Sequence, residues 1–228
     1  DSDSGVLTLS GSATTAQYEA ALESVTYQNT NTDDPNNGSR TVSWVVNDGT
    51  ANSSAITSTI SVSDVNDAPV LEDAGGTVIF SLGIPNVESG NSSTGTSSTG
   101  TSSSGTSSYT AVIDSSLAVS DVDDVVIEGA TISISSGFVD SEDVLAFTNT
   151  SEITGLWDSS TGVLTLSGNA TKAQYEAALE TVTYQNTNVD DPNNGTRTVS
   201  WVVNDGTADS STSTSTISVT VENDIPVL

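Results

Sequence analysis

Residues 5–50 read GVLTLSGSATTAQYEAALESVTYQNTNTDDPNNGSRTVSWVVNDGT, and residues 162–207 read GVLTLSGNATKAQYEAALETVTYQNTNVDDPNNGTRTVSWVVNDGT. Each copy runs on to an NDxPVL ending, so the similarity spans residues 5–71 and 162–228. Self-similarity at this fidelity is typical of a tandem array. A catalytic site needs one unique set of residues, so the duplication favours a function based on length, valency or rigidity.

The end of each copy carries a β-strand pattern. In the run from Thr41 to Val46, the side chains of Val42, Trp44 and Val46 alternate with those of their neighbours. Alternation places them on one face of a strand, and we expect that face to be core. The second copy repeats the pattern with Val199, Trp201 and Val203. Turn residues flank the run, with DDPNNG before it and an Asn-Asp-Gly reversal after it.

The remaining pattern predicts an all-β chain with one short helix per repeat. The helices are predicted at Ala16–Leu22 and Ala173–Leu179, where Thr14 and Gln17, or Thr171 and Gln174, match a capping box. Further strands are predicted at residues 6–10, 24–28, 56–63, 77–82, 116–120, 125–135 and 144–148. Short strands separated by turn signals indicate a Greek-key β-sandwich, antiparallel throughout.

The domain prediction follows from how many times each half of the repeat occurs. The segment at about 72–157 occurs once, whereas the half that follows it occurs at 1–71 and again at 158–228. We therefore predict an incomplete half-repeat at residues 1–71 and a complete repeat at 72–228. Pairing of 1–71 with 72–157 is the alternative and would leave 158–228 alone. Because about 70 residues close a core only marginally, we expect the chain to be a window of a longer array.

A low-complexity tract interrupts the predicted complete repeat. Residues 88–108 consist almost entirely of Ser, Thr and Gly, with no apolar side chains to offset the entropy lost on ordering. Strand-like sequence lies on both sides of it. We expect a flexible tether or exposed loop inserted into the domain.

Composition excludes several classes of function. The chain has no Cys, His or Met, which removes thiol and imidazole catalysis and ordinary zinc sites. With 30 acidic and three basic residues, its formal net charge of -27 disfavours nucleic acid and anionic membranes as partners. Clustered carboxylates are the oxygen ligands that Ca²⁺ prefers. We expect a non-enzymatic, extracellular cell-surface protein with Ca²⁺ as its cofactor, and no stretch is long enough to span a membrane.

Several motifs together resemble a known family. With the acidic segment DVNDAPV at 64–70 and SDVDD at 120–124, and with GVLTLSG, AQYEAAL, VTYQNT and TVSWVVNDGT, the chain resembles the cadherin-like tandem repeats of giant calcium-dependent bacterial surface adhesins. The resemblance covers nearly everything except residues 83–108. It implies an extender in which sandwiches are strung end to end, Ca²⁺ binds at the junctions, and the array supports attachment and biofilm formation.

Candidate metal ligands lie at and beyond the acidic segment. Five oxygen donors fall within ten residues there: Asp64, Asn66, Asp67, Glu72 and Asp73. Asp121 and Asp123 alternate in a predicted extended segment and can point the same way. At the second such segment Val221 replaces the leading Asp, leaving Glu222, Asn223 and Asp224. Ca²⁺ takes six to eight oxygens, so neighbouring loops must complete any shell. A solvated acidic turn remains the alternative.

Three functions stay open at this point. The first is a Ca²⁺-stiffened extender whose partners are the neighbouring repeats of the same array. The second is a binding module, in which the split domain presents an element that binds a glycan or a protein. The third is a filament subunit that self-associates end to end through strand or half-domain complementation.

Overall fold

The computed structural model describes residues 4–82, 110–189 and 191–221. The predicted insert at 88–108 and the candidate ligands Glu222, Asn223 and Asp224 lie outside these ranges. The chain divides into two compact units, residues 1–64 and residues 65–228. The division falls seven residues before the sequence-predicted boundary, because residues 65–72 associate with the second unit through β3.

The elements are α1 (Thr15–Glu23), β1 (Gly38–Trp44) and β2 (Ile56–Val62) in the first unit, and β3 (Val70–Glu72), β4 (Thr77–Leu82), β5 (Thr110–Val112), β6 (Ala118–Ser120), β7 (Val126–Ser136), β8 (Asp143–Ala146), β9 (Thr154–Asp158), β10 (Val163–Thr171), α2 (Lys172–Leu179), β11 (Thr183–Asn186), β12 (Gly195–Asn204) and β13 (Ser213–Val221) in the second.

The second unit is a β-sandwich, which confirms the predicted all-β class. A six-stranded sheet in the order β4-β13-β12-β7-β10-β9 faces a three-stranded sheet in the order β5-β11-β8, and β3 pairs with β6 in a separate ladder. Residues of both larger sheets share one core, in which Trp201 and Tyr184 are fully buried. Phe80 of β4 meets Tyr184 of β11 edge to face, with ring centroids 5.0 Å apart. This ring contact joins the two sheets.

One strand pair departs from the predicted antiparallel arrangement. β4 lies parallel to β13, with Thr77 opposite Thr216 and Leu82 opposite Val221. A parallel pair needs a long crossover connection. The chain between β4 and β13 contains all the other strands from β5 to β12, so that requirement is met.

Both helices form as predicted. Thr14 accepts a hydrogen bond from the Gln17 amide while the Gln17 side chain accepts one from the Thr14 amide, and Thr171 and Gln174 repeat the arrangement. The two helices differ in burial. In α2 Tyr175, Ala178 and Leu179 are buried, whereas α1 has no buried residue. The local sequence therefore fixes the helix, and the surroundings decide whether it is packed.

The first unit lacks two predicted strands. Residues 6–10 and 24–28 are not strands, although their copies form β10 and β11. β10 lies between β7 and β9, and β11 between β5 and β8. All four flanking strands come from residues 110–158, and the described residues 4–64 contain no equivalent of them. Without neighbours to pair with, the same sequence does not form a strand.

Candidate metal centre

The loop that follows β6 is folded by its own first acid. Asp121 Oδ1 accepts hydrogen bonds from the backbone N–H groups of Asp123 (3.1 Å) and Asp124 (2.8 Å). An Asp side chain that bonds amides two and three residues ahead forms a local turn. The extended conformation predicted for residues 121–123 is therefore wrong, and the turn includes Asp124 as well as Asp121 and Asp123.

Lys172 fixes this loop to the start of α2. Its Nζ donates to the backbone carbonyl oxygens of Asp121 (2.8 Å) and Asp124 (2.6 Å). Lys172 therefore binds the backbone of the loop, and these hydrogen bonds do not involve the carboxylates of Asp121 and Asp124. The first copy of the repeat has Thr15 at the position of Lys172.

The first residues of the second unit lie against the same loop. The Asp67 N–H donates to Asp123 Oδ2 at 2.9 Å, and Asn66 Nδ2 donates to Asp205 Oδ2 at 2.9 Å. These two contacts bring a segment from residues 66–67 to acids that lie 56 and 139 positions further along the chain. The acids therefore hold the beginning of the unit in place.

Asp205 comes from the Asn-Asp-Gly turn after β12. Its Oδ1 accepts hydrogen bonds from the N–H groups of Thr207 (2.6 Å) and Ala208 (2.7 Å), and the residue is only 6% exposed. Asp48 makes the same turn in the first unit, accepting from Thr50 and Ala51. The turn accounts for Oδ1 of Asp205, and Oδ2 accepts the hydrogen bond from Asn66.

Together these elements form a carboxylate cluster. Asp121, Asp124 and Asp205 each offer one oxygen, and these oxygens all lie within 4.8 Å of one another. Two ligands bound to one Ca²⁺ at 2.3–2.6 Å are at most about 5 Å apart, so the spacing fits a shared ion. Asp121 Oδ2 and Asp123 Oδ1 are buried and have no hydrogen-bond partner among the described residues. Buried carboxylate oxygens normally have a partner, and a cation would supply one.

The pKa values reflect the crowding of negative charge. Burial raises the pKa of Asp121, and the neighbouring Asp123 raises it further. Burial also raises the pKa of Asp124, together with repulsion from Asp123 and Asp205. Asp123 has a lowered pKa because the Asp67 amide donates to it. Burial opposes ionisation of Asp205, but hydrogen bonds from Asn66 and from the turn amides lower its pKa overall. A divalent cation would relieve the repulsion.

The structure treats the sequence-predicted ligands differently. It brings together Asn66, Asp67, Asp121 and Asp123. Glu72 lies opposite Ala118 at the other end of the β3–β6 ladder from Asp121, because Val70 is the residue opposite Ser120. Asp64 ends the first unit, where its backbone N–H donates to the Asn37 side chain.

Asp73 follows Glu72 and lies beside a different acid. The Ser116 amide donates to Asp114, and the single hydroxyl proton of Ser116 is shared between Asp114 Oδ1 (2.8 Å) and the Asp73 carbonyl (3.2 Å). Asp114 also accepts from Ser215 and from the Gly75 and Gly76 amides, so both of its oxygens have protein partners. Asp114 thus attaches the chain after β3 to the sandwich. The register of β3 therefore carries Glu72 away from the loop after β6, and the assignment of Glu72 and Asp73 as metal ligands stays a prediction.

Sequence reasoning missed two members of the cluster, Asp124 and Asp205. Asp124 was visible as the last acid of the run at 120–124. Asp205 gave only the signal of a turn former, since nothing local shows that β12 ends beside the loop after β6.

Comparison with known proteins gives a restricted result. No protein-family model matches the chain. No solved structure matches it either. Part of the chain is similar to halomucin. This protein of Haloquadratum walsbyi (strain DSM 16790 / HBSQ001) is 47% identical over 78 residues, which are 32% of this chain and 1% of halomucin.

Halomucin is much longer than this chain, since the 78 matched residues are 1% of its length. The match covers a very small fraction of halomucin, and the cadherin-like family stays a prediction. In the described part of the chain, no helix is both long and apolar enough to cross a membrane.

Proposed function

We propose that the chain is a non-enzymatic, Ca²⁺-stiffened extender of a large extracellular adhesin, and that it holds a distal binding domain away from the cell during surface attachment and biofilm formation. Its direct partners are neighbouring repeats of the same array. The proposal rests on the carboxylate cluster that holds residues 66–67, the beginning of the second unit, in place. The duplicated sequence and the similarity to part of the much longer halomucin support it.

Electrostatics provides the mechanism. Without a cation, Asp121, Asp123, Asp124 and Asp205 repel one another, and Glu128 adds to the repulsion at Asp124. Asn66 and Asp67 are attached to this cluster by one hydrogen bond each. A bound Ca²⁺ neutralises the acids and takes oxygen ligands from the loops that hold residues 66–67. Residues 66–67, which lie at the beginning of the second unit, then have fewer accessible conformations.

Six residues supply the candidate shell: Asn66, Asp67, Asp121, Asp123, Asp124 and Asp205. Asp121, Asp124 and Asp205 have the required spacing, and Asp121 and Asp123 contribute the oxygens without partners. Waters complete the six to eight ligands that Ca²⁺ takes. Lys172 donates to backbone carbonyls of the loop and therefore stabilises its shape without occupying the carboxylates.

Small-angle X-ray scattering combined with thermal unfolding tests this function. Samples contain Ca²⁺, or Mg²⁺ at the same concentration, or a chelator, with ionic strength held constant because a chain of net charge -27 responds to any salt. At a free Ca²⁺ concentration of 100 Kd, linkage adds about 2.7 kcal/mol to the stability of the binding unit. We expect a higher Tm and a narrower distribution of particle dimensions in Ca²⁺ only. Scattering and melting that do not distinguish Ca²⁺ from Mg²⁺ or chelator would refute the stiffening mechanism.

A further inference from the structure

The two copies of the repeat place the same side chains in opposite environments. Leu7 is 67% exposed and Tyr27 is 47% exposed, whereas their counterparts Leu164 and Tyr184 are 2% and 0% exposed. No hydrophobic residue of the described positions 4–64 is buried. The side chains that form half of a core in the second unit therefore form an open apolar surface in the first. An exposed apolar face whose copy in the second unit is core marks an interaction site.

The second unit shows what covers this surface. Its copy of the half-repeat contacts five strands from residues 65–158: β7 and β9 flank β10, β5 and β8 flank β11, β7 also pairs with β12, and β4 pairs with β13. Residues 65–158 thus supply every strand needed to complete the sandwich. The first unit presents the same partner sequence with those neighbours missing.

A buried ion pair makes the required partner chemically specific. Arg197 Nε lies 3.1 Å from Asp143 Oδ2, with side-chain exposures of 3% and 0%. Tyr184 donates its hydroxyl proton to Asp143 Oδ1 at 2.5 Å. In the first unit the counterpart Arg40 donates only to the carbonyl oxygens of Asn36 and Gly38 and forms no ion pair within the described residues.

The neighbouring acid adds a second polar requirement. Glu142 is 5% exposed and accepts hydrogen bonds from Asn188, from Asn186, and from the backbone and side chain of Asn193. The first unit retains the three donors as Asn29, Asn31 and Asn36. It has the asparagines and the arginine, and it lacks the adjacent Glu and Asp that they bind.

We propose that residues 4–64 are a docking surface for a half-repeat of the type of residues 65–157, one that carries the Glu-Asp pair and has no second half of its own. The chain's own β4, β5, β7, β8 and β9 are already paired within the second unit. A second intact copy has the same shortage, so the occupant is an unpaired half-repeat. This inference goes beyond the extender function and does not depend on Ca²⁺.

The test adds a separate polypeptide of residues 65–157 to the full 228-residue chain and follows hydrogen exchange by mass spectrometry. Residues 6–14 and 24–29 report on docking, because their copies contain β10 and β11, which form where neighbouring strands are present. The peptides are distinguishable by mass from those of the second copy, since Ser12 stands where the second copy has Asn169, and Ser24 where it has Thr181. We expect both regions to become protected at one equivalent of bound fragment.

Two variants define the specificity. Asp143→Asn in the added fragment, or Arg40→Gln in the full chain, should weaken binding at least about 30-fold, since each leaves a buried charge unpaired in the complex. Neither alters the second unit of the full chain. Equal binding by the variant fragments would overturn the proposal, as would the absence of protection at saturating fragment.

A fusion protein is the control for aggregation of the separate fragment. Residues 65–157 are placed directly before residue 1, which recreates the order found at residues 65–221. We expect a second cooperative unfolding transition and a blue shift of Trp44 emission, because the counterpart Trp201 is fully buried. A fusion with only one transition and unchanged Trp44 emission would refute docking. Protection that instead appears when the unmodified chain is concentrated alone would identify a second copy as the occupant and also overturn it.

Discussion

Leu9 and Leu166 occupy the same position in the two copies of the repeat, and they offer a matched pair of substitutions. Leu166 is 0% exposed at the centre of β10, opposite Ala130 of β7 and Gly155 of β9. Leu9 is 41% exposed. We predict that Leu166→Ala strongly destabilises the second unit, whereas Leu9→Ala does not.

The magnitude follows from burial. Replacing a buried leucine by alanine costs about 2–5 kcal/mol, depending on how far the surroundings collapse into the cavity. Both cross-strand neighbours of Leu166 are very small, so little collapse is available and we expect the upper half of that range. For a domain of about 150–250 residues this lowers the Tm by about 7–20 °C. Leu9→Ala should stay within about 0.5 kcal/mol, as for other surface substitutions.

The assay is thermal and urea unfolding followed by tryptophan emission, in which Trp44 reports on the first unit and Trp157 and Trp201 report on the second. The midpoint should fall sharply with Leu166→Ala and remain unchanged with Leu9→Ala. Equal shifts for the two variants would refute the claim that the same sequence is packed in one unit and open in the other.

Three further predictions use other features of the sandwich. Gly168 has φ +145°, and a Cβ there would lie 1.9 Å from the Glu152 carbonyl oxygen, whereas a Cβ at Gly11 would meet nothing within 4 Å. Gly168→Ala should therefore lower the Tm much more than Gly11→Ala, and equal Tm values for the two variants would contradict this. Burial opposes ionisation of Glu142, but hydrogen bonds from asparagines lower its pKa overall, so its contribution to stability is present at neutral pH and is lost as the pH falls through the usual range of a glutamate carboxyl. Glu142→Gln should therefore lower stability at pH 7 and flatten its fall on acidification, and an unchanged pH profile would count against this role. Raising monovalent salt from 0.1 M to 1 M should increase the Tm, since it screens the charge of -27 and shortens the Debye length from about 10 Å to about 3 Å; a Tm that falls with salt would refute this.

Local patterns in the sequence were sufficient for the class of fold and for most elements. Alternation around Trp201 gave β12, and the capping residues gave both helices, because these signals depend on neighbours along the chain. The same logic failed at residues 6–10, where the pattern of β10 is repeated without the strands that pair with it. Periodicity identifies a face to be buried, but it carries no information about whether the covering half is present.

The candidate site was predictable only in part. Asn66, Asp67, Asp121 and Asp123 were visible as acidic or amide residues in short linear runs. Asp205 belongs to the carboxylate cluster because β12, which lies far from Asp121 in the sequence, ends beside the loop after β6. Glu72 was close to Asp67 in sequence and yet lies elsewhere, since β3 carries it to the far end of its ladder.

Calcium titration by isothermal calorimetry tests the central claim most directly, with Asp205→Asn and Asp48→Asn as a matched pair. Both substitutions keep an oxygen that can accept from the turn amides, and only Asp205 lies in the carboxylate cluster. The account predicts a Ca²⁺ site in the unmodified chain that Asp48→Asn leaves intact and that Asp205→Asn weakens by at least about tenfold. Absence of a saturable Ca²⁺ site, or equal affinities in the two variants, would contradict it.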